Sequence, residues 1–179
     1  MAGSSRIVFQ PPSGDCDGVI RQTLADNGIP LGRVIINPLL DNTRMREIYR
    51  DTDVGLFPNR CEGGNNMVMC EYMACGRTVI ASDATGHADV ITPQNAFPLA
   101  GYTPLVVNDA RGNPTAIWHQ AGVEEIIEQL EHAYRDRELC RQKSAVAAED
   151  MRKLSWDKAA RQFHYIASKL DFAATFKKN

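Results

Sequence analysis

Residues 53–83 have the sequence DVGLFPNRCEGGNNMVMCEYMACGRTVIASD, and this stretch decides the fold. Residues 53–58 and 78–81 are short apolar runs typical of buried strands. Between them, residues 67–75 are apolar nearly all the way round, which predicts a buried helix that ends at Gly76. Strand, glycine loop, helix and strand in this order predict a right-handed βαβ crossover in a parallel sheet.

The residues before this unit show the same alternation of strand and helix. The pattern predicts strands at 6–10 and 33–37 and helices at 18–27 and 42–50. Gly28 is placed to close the first helix, and Asp41 or Asn42 to cap the second. The fold class predicted is therefore α/β, a Rossmann-like open parallel sheet with helices on both faces.

The second half of the chain is different. Residues 93–113 are rich in prolines and glycines and predict an elaborated loop, in which 104–108 is a candidate edge strand. From residue 123 the pattern is helical to the end. One predicted helix has an apolar stripe and a solvated face of glutamates: the stripe is Val123, Ile126, Ile127, Leu130 and Tyr134, and the face is Glu124, Glu125, Glu128 and Glu131. A second helix is predicted at 138–153, and a third begins after Ser155.

Composition excludes several functional classes. The chain has 179 residues, 44% of them apolar, which is enough for one domain, and no linker divides it. A formal charge of −2 with scattered basic residues argues against nucleic acid as the main partner. Five cysteines without metal spacing favour a reducing compartment, and the sequence shows no signal peptide and no membrane span. We expect a cytoplasmic protein.

The loop between the first strand and helix of the 53–83 unit is the candidate binding element. Ligands of open α/β sheets bind beyond the carboxyl ends of the strands, where this loop lies. Gly63 and Gly64 leave room for backbone N–H groups to approach an anion, and a helix that begins near Asn65 adds its positive end. A diphosphate fits this description. The alternative interpretation is that the two glycines only make a tight turn.

Two carboxylates flank the glycines. Glu71 stands among apolar residues of the predicted buried helix, where an ionised carboxylate needs a polar partner such as sugar hydroxyls. Its alternative is a buried glutamate held by backbone donors or by an arginine such as Arg77. Glu62, on the loop itself, is placed to reach the reacting end of the same ligand, and its alternative is exposure on a surface turn.

Other polar residues lie near the same edge of the sheet. Arg60 is a candidate for neutralising phosphate. His87, which follows the next strand with Asp83, Thr85, Gly86 and Asp89, is a candidate substrate-binding residue with an acid–base or hydrogen-bonding role. Each has the alternative of an ordinary surface or loop residue. The sequence contains no zinc-binding cluster, P-loop, nucleophile elbow or dinucleotide fingerprint.

At these residues the chain resembles the C-terminal, donor-binding domain of retaining glycosyltransferases of the GT-B architecture, in the large family numbered four, also called group 1. Three features carry the resemblance: the glutamates around a glycine loop, the string EYMACGRTVIAS at 71–82, which is similar to the family's E-A-M-A-C-G-x-P-V-I-A-S, and LSWD at 154–157 before a final helix. The likeness covers about residues 30–170.

The resemblance implies a role for each matching position. Glu62 is expected beside the donor sugar, near the anomeric centre, as the catalytic residue. Glu71 is expected to bind the ribose hydroxyls. Gly63, Gly64, Asn65 and Asn66 match the loop that holds the sugar and the distal phosphate, with the base near residues 34–37. The ligand implied is a UDP- or GDP-sugar, bound without a metal ion or other cofactor.

The chain departs from the family pattern in two respects. Eight residues separate the two glutamates, where the family has seven, so the loop holds one extra residue. The first strand and helix of the family domain, with their basic residues, have no match, and neither has the N-terminal acceptor domain. We therefore interpret 1–179 as one donor domain, half of a GT-B enzyme, which lacks its first strand and needs its missing domain or a partner chain. Alone, it is expected to have little or no transfer activity.

Two other interpretations stay open from the sequence. One is a non-catalytic nucleotide or nucleotide-sugar binding module that acts with a partner chain, and the other is a flavodoxin-like regulatory domain. Residues 154–179 match the helix that crosses back toward the N-terminal domain. Its apolar face is therefore expected to be exposed, which favours a homo-oligomer formed through this helix. That face comprises Phe163, Leu170, Phe172 and Phe176.

Overall fold

A computed structural model describes residues 7–9, 17–38 and 40–169. The chain divides into two compact units, Met1–Thr52 and Asp53–Asn179. Both contain parallel strands and helices, which confirms the predicted α/β class. That the two units form one domain stays a prediction. Within the described residues, no helix is both long and apolar enough to cross a membrane.

Among its described residues, the first unit contains one pair of parallel strands. Strands β1 (Ile7–Phe9) and β2 (Val34–Ile36) pair in parallel, and helix α1 (Asp17–Asp26) lies between them in sequence. Gly28, at φ +68°, follows α1, as predicted. The Asp41 side chain accepts from the Thr43 N–H and begins a 3₁₀ turn that leads into α2 (Met45–Arg50), so the predicted cap is also confirmed.

The second unit is built on a parallel sheet of three strands. Its strands are β3 (Val54–Phe57), β4 (Thr78–Ser82) and β5 (Phe97–Leu99), in the order β3-β4-β5. Helix α3 (Met67–Ala74) connects β3 to β4, and Gly76 follows it at φ +70°. The βαβ unit and its helix stop are therefore confirmed. All five residues of β4 are buried, because β4 is the central strand.

Up to residue 169, the second unit also contains three further helices: α4 (Val123–Arg135), α5 (Arg137–Lys153) and α6 (Trp156–Lys169). The core joins β4 and β5 to α4 and α5 through Ile80, Phe97, Leu99, Ala121, Ala133 and Cys140. The hydroxyl of Thr78 donates to the carbonyl of Cys140 at 2.8 Å, which fixes α5 against the start of β4. Ser155 accepts from the Lys158 N–H at 3.3 Å, so this residue caps α6 as predicted.

The prediction of an elaborated loop at 93–113 was wrong, except for the candidate strand at 104–108, which is part of a longer strand. Residues 97–99 form β5, and β6 (Tyr102–Asn108) pairs antiparallel with β7 (Pro114–Ala121) in a long hairpin. The prolines were the misleading signal. Pro98 lies on the outermost strand of the parallel sheet, and Pro104 lies opposite His119 in the hairpin, so neither position interrupts the pairing.

The predicted core stripe of α4 was also wrong in part. Ile126 packs against the core, but Val123, Ile127, Leu130 and Tyr134 are exposed. The fully buried residue of α4 is the small Ala133, one helical turn beyond the half-buried Gln129. An amphipathic pattern identifies an apolar face, but it does not determine what covers that face.

Candidate functional site

The predicted site loop meets the loop that follows the next strand. Residues 58–66 follow β3 and residues 83–87 follow β4, so both lie at the carboxyl end of the parallel sheet. The Glu62 N–H donates to Thr85 Oγ1 at 2.9 Å, and the Gly86 N–H donates to the Glu62 carbonyl at 3.2 Å. The backbone of Glu62 is thus held on both its polar groups, as the shared edge predicted.

Gly86 allows this close approach. A Cβ added at Gly86 would lie 1.6 Å from the carbonyl oxygen of Gly64 and 3.2 Å from that of Glu62. Only glycine leaves space for the two loops at this separation. Thr85 beside it has φ +53°, a left-handed conformation that is strained for a β-branched residue. Backbone strain of this kind is typical of functional loops, and here it orients the hydroxyl that accepts from Glu62.

The Glu62 carboxylate has a local partner. The Asn59 side-chain amide donates to Glu62 Oε2 at 3.1 Å, and the Glu62 side chain is only half-buried. One carboxylate oxygen is therefore oriented while the group stays accessible to a ligand. Asn59 was missed in the sequence; its position three residues before Glu62, in the same loop, was the signal available.

Asn66 joins the loop to helix α3. It adopts φ +46°, which asparagine tolerates better than most residues, and its Oδ1 accepts from the Met69 N–H at 3.1 Å as the cap of α3. Its Nδ2 faces Nε2 of His87 at 3.0 Å. Because the cap bond fixes which end of the amide faces His87, Nε2 is the acceptor and the ring proton lies on Nδ1.

His87 is fully buried rather than available to a ligand. Burial lowers the pKa of His87, and the charge of Glu62 opposes this shift. The ring is near the backbone of Ser82, but Nδ1 has no hydrogen-bond partner of good geometry among the described residues. The expectation that His87 contacts the substrate is therefore corrected: it is a neutral residue that positions Asn66.

The tip of the loop is open. Gly63, Gly64 and Asn65 are exposed, and a Cβ added at either glycine would meet nothing within 4 Å. The tip lies immediately before the N-terminus of α3, which carries partial positive charge. Exposed backbone N–H groups beside a helix N-terminus provide the donors that bind a phosphate group. The two sides of the loop are fastened while its tip is free, an arrangement suited to receiving an anion.

Helix α3 is not buried all round, contrary to the prediction. Its inner face is Met69, Tyr72 and Met73, spaced three and four residues apart, whereas Met67 is 73% exposed and Glu71 is exposed too. The physical reason is that a helix of two turns at the face of a sheet has one covered side, even when its sequence is apolar on both. Glu71 is therefore not a carboxylate embedded in apolar surroundings, and its predicted role now depends only on its position. Its Cα lies four residues, about 6 Å along the axis, from the start of α3.

Arg60 lies at the surface, and its main chain makes a contact that the sequence did not predict. The His119 N–H, from strand β7, donates to the Arg60 carbonyl at 2.9 Å. Residues 60 and 119 are far apart in sequence, and no local pattern connects them. Thus Glu62, Gly64, Asn66 and His87 are brought together with Thr85 and Gly86, while Arg60 contacts the hairpin and Glu71 lies on the outer side of α3.

A groove of about 510 Å³ lies elsewhere in the second unit. Its lining includes Arg137 and Ser144 of α5. It also includes Asp53, immediately before β3, and the pair Gly76 and Arg77, immediately before β4. It is therefore at the amino ends of the strands, opposite to the loop at 58–66. The described residues contain no group of three or more His, Cys, Asp or Glu placed to hold a metal ion. The expected metal independence stays a prediction.

Comparisons with known proteins agree with the resemblance. The family model described as "Glycosyl transferases group 1" matches residues 14–136. The chain is similar to the C-terminal domain of the group 1 glycosyl transferase LpcC from Francisella tularensis, with 17% identity and a TM-score of 0.55 over 80% of this chain and 64% of that one. No protein of curated function matches the chain in sequence.

Two further solved structures are more similar in fold. Sucrose-phosphate synthase from Thermosynechococcus elongatus has 19% identity and a TM-score of 0.71 over 94% of this chain and 39% of that one. HepE from Anabaena, solved in complex with UDP, has 15% identity and a TM-score of 0.67 over 93% of this chain and 41% of that one. The chain therefore spans 39–64% of the length of these three proteins.

Proposed function

Because the chain belongs to the group 1 glycosyl transferases, we propose that it binds a nucleotide-diphospho-sugar, a UDP- or GDP-sugar, at the loop 58–66 and the start of α3. The reaction served is transfer of a hexose, with retention of configuration, to a saccharide or lipid-linked acceptor. The observation that carries the proposal is the loop itself, which is fastened through Glu62 and Asn66 and open at Gly63 and Gly64. The Anabaena structure with UDP supports the choice of ligand.

Each end of the donor has a chemical partner in this proposal. The exposed amides at 63–65 and the N-terminus of α3 hold the distal phosphate, and Arg60 adds positive charge nearby. Glu62, oriented by Asn59, faces the sugar near the anomeric carbon. Glu71 accepts hydrogen bonds from the ribose hydroxyls on the outer side of α3, where its exposure leaves it accessible to a ligand.

Transfer requires the bond between the sugar and the diphosphate to break, so negative charge grows on the diphosphate in the transition state. Fixed N–H dipoles and cations at that position stabilise the leaving group without reorganising, which is the largest contribution in many enzymes. Residues 63–65 and the α3 N-terminus are placed for this role. No metal ion is required by the scheme.

The test is a titration of the purified protein with UDP, GDP, UDP-glucose and GDP-mannose by calorimetry. The parent is expected to bind one nucleotide class, and Glu71→Ala to weaken binding at least tenfold, about 1.4 kcal/mol, through loss of the ribose contacts. Glu128→Ala, an exposed glutamate of α4, is the matched control and should bind like the parent. If Glu71→Ala binds as well as the parent, the ribose assignment is wrong, and if the parent binds no donor, the proposed function is wrong.

A further inference from the structure

We propose that the β6–β7 hairpin is a positioning element of the donor site: the His119 N–H holds the Arg60 carbonyl and so fixes Glu62 against the sugar of the donor. The hairpin lies between β5 and α4 in sequence, and its contact with the loop 58–66 is through the main chain. This role rests on the proposed function, because it assigns the sugar to Glu62.

The register of the hairpin explains why the His119 N–H is available. His119 lies opposite Pro104, which has no N–H to donate. In an antiparallel pair, residues of a non-hydrogen-bonded pair direct their N–H groups away from the partner strand. The His119 N–H therefore leaves β6 and meets Arg60 at 2.9 Å on the other edge of β7. Proline at position 104 costs the hairpin no hydrogen bond.

The contact lies at the braced end of the hairpin rather than at its tip. Glu125, in the first turn of α4, accepts from the Ala100 N–H at 3.0 Å and from the Gly101 N–H at 3.1 Å. The His119 ring packs edge-on against Tyr102, with centroids 4.5 Å apart. Residues 114–117 at the far end are exposed. Glu125, predicted for the solvated face of α4, thus anchors the hairpin, and the anchored end is the one that holds the loop.

The held peptide determines where the Glu62 carboxylate lies. Asn59, which donates to Glu62 Oε2, immediately precedes Arg60, and the Glu62 N–H is bound two residues after it by Thr85. The segment 59–62 is thus fastened at the Arg60 carbonyl, at the Glu62 main chain and between its own side chains. Without the bond from the His119 N–H to the Arg60 carbonyl, Asn59 and Glu62 keep their mutual contact but lose their fixed position relative to β7.

The experiment distinguishes the effect of the backbone hydrogen bond of His119 from the effect of its side chain. His119→Pro removes the N–H, whereas His119→Ala removes only the ring and keeps the N–H. Ile117→Pro is the second control, because Ile117 has the same orientation as His119 in the strand, is 63% exposed and lies nearer the tip. Circular dichroism verifies that each variant of the 179-residue chain is folded.

The first readout is hydrogen–deuterium exchange by mass spectrometry in peptides that cover 59–66. Faster exchange in His119→Pro, with parent-like exchange in His119→Ala and Ile117→Pro, is the expected result. Equal exchange in all four proteins overturns the coupling between hairpin and loop, whatever the ligand is.

The second readout is the ratio of affinities for UDP-glucose and UDP, or for GDP-mannose and GDP, whichever class the parent binds. His119→Pro is expected to lose at least fivefold in affinity for the sugar nucleotide, while its affinity for the nucleoside diphosphate changes less than twofold. The reason is that His119 bonds Arg60 rather than the loop tip at 63–65 or Glu71, which are assigned to the phosphate and the ribose. A merely structural role would weaken both ligands equally, and that result overturns the proposal. If the parent binds none of the four ligands, the proposed function and the donor-positioning role are both wrong. The exchange measurement still decides whether the hairpin and the loop are coupled, because it does not depend on a ligand.

Discussion

Gly86 shows how a single residue sets the distance between two loops. Its missing side chain lets its backbone approach the Gly64 carbonyl, and its N–H binds the Glu62 carbonyl. Glu62, Thr85 and Asn66 then take positions that depend on this separation. A change at Gly86 should therefore affect the site and the stability together.

Gly86→Ala is expected to lower the free energy of unfolding by about 2 kcal/mol or more, because the added methyl group would meet a backbone oxygen that cannot rotate away. Gly64→Ala is the matched control: its added Cβ meets nothing within 4 Å, so the change should stay within about 0.5 kcal/mol. Urea denaturation of the three proteins measures both values. Equal midpoints for the two variants would contradict the packing argument.

His87 predicts a pH dependence of stability. Burial lowers the pKa of His87 below its ordinary value of about 6.5, opposed by the charge of Glu62, so the unfolded chain binds its proton more readily than the folded chain. The contribution of neutral His87 to the free energy of unfolding is complete above about pH 6.5. It is lost as the pH falls from there toward the lower pKa of His87 in the folded chain. Carboxylates whose pKa is lowered by hydrogen bonds, such as Asp109, change the stability of the protein only at more acidic pH.

We expect the urea midpoint of the parent to decrease as the pH is lowered from 7.5 to 5.5. For His87→Gln we expect a much smaller decrease. Glutamine keeps an acceptor for Asn66 but does not titrate. His164→Gln, at an exposed position on α6, controls for the replacement of a histidine by glutamine elsewhere in the chain. The assignment fails if the His87→Gln slope matches that of the parent.

At the scale of elements, helix α3 shows the limit of composition as a guide to burial. Met67 and Val68 have the same apolar character as Met69 and Met73, yet the first two are exposed and the others are fully buried. The covered side of α3 is the one that meets β3, β4 and α5. The cap residue Asn66 fixes where α3 begins, and its contact with His87 joins this helix to the loop after β4.

Asn66→Ala is expected to lower the free energy of unfolding by about 1–2 kcal/mol, because alanine loses the cap bond and tolerates positive φ poorly. Asn66→Gly also loses the side chain but accepts this φ, so its cost should be smaller. The corresponding fall in Tm is about 2–4 °C for each kcal/mol in a chain of this size. Differential scanning calorimetry measures it, and a glycine variant less stable than the alanine variant would be inconsistent with the left-handed cap.

At the scale of the whole molecule, α6 leaves apolar surface uncovered. Phe163 is 75% exposed, as predicted, and Trp156, which the prediction did not include, is 90% exposed. Leu170, Phe172 and Phe176, the other residues of the predicted face, lie outside the described residues. Large exposed apolar side chains on one element are typical of an interaction surface. Self-association through α6 stays a prediction.

Light scattering at increasing concentration should show association of the parent and a monomer for Trp156→Ser with Phe163→Ser. Ile127→Ser, on the exposed stripe of α4, controls for a general loss of apolar surface. A chain that ends at Lys153 should also be monomeric. A parent that stays monomeric at high concentration would count against a homo-oligomer through α6.

Sequence by itself determined the parts of this protein that depend on a few neighbouring residues. The βαβ unit around 53–83, the stops at Gly28 and Gly76, and the caps at Asp41 and Ser155 follow from local conformational preferences and apolar periodicity, which act within one or two turns. The glycine loop with Glu62 was recognisable for the same reason.

Tertiary structure alone decided the parts that join distant segments. The β6–β7 hairpin, the bond from His119 to Arg60, the exposure of Glu71 and the burial of His87 depend on which elements meet and at what register. No local pattern carries that information, because packing and long-range hydrogen bonds are chosen by the whole folded chain. The sequence indicated the candidate site residues, and the fold determined which of them are exposed and which are buried and hold the others in place.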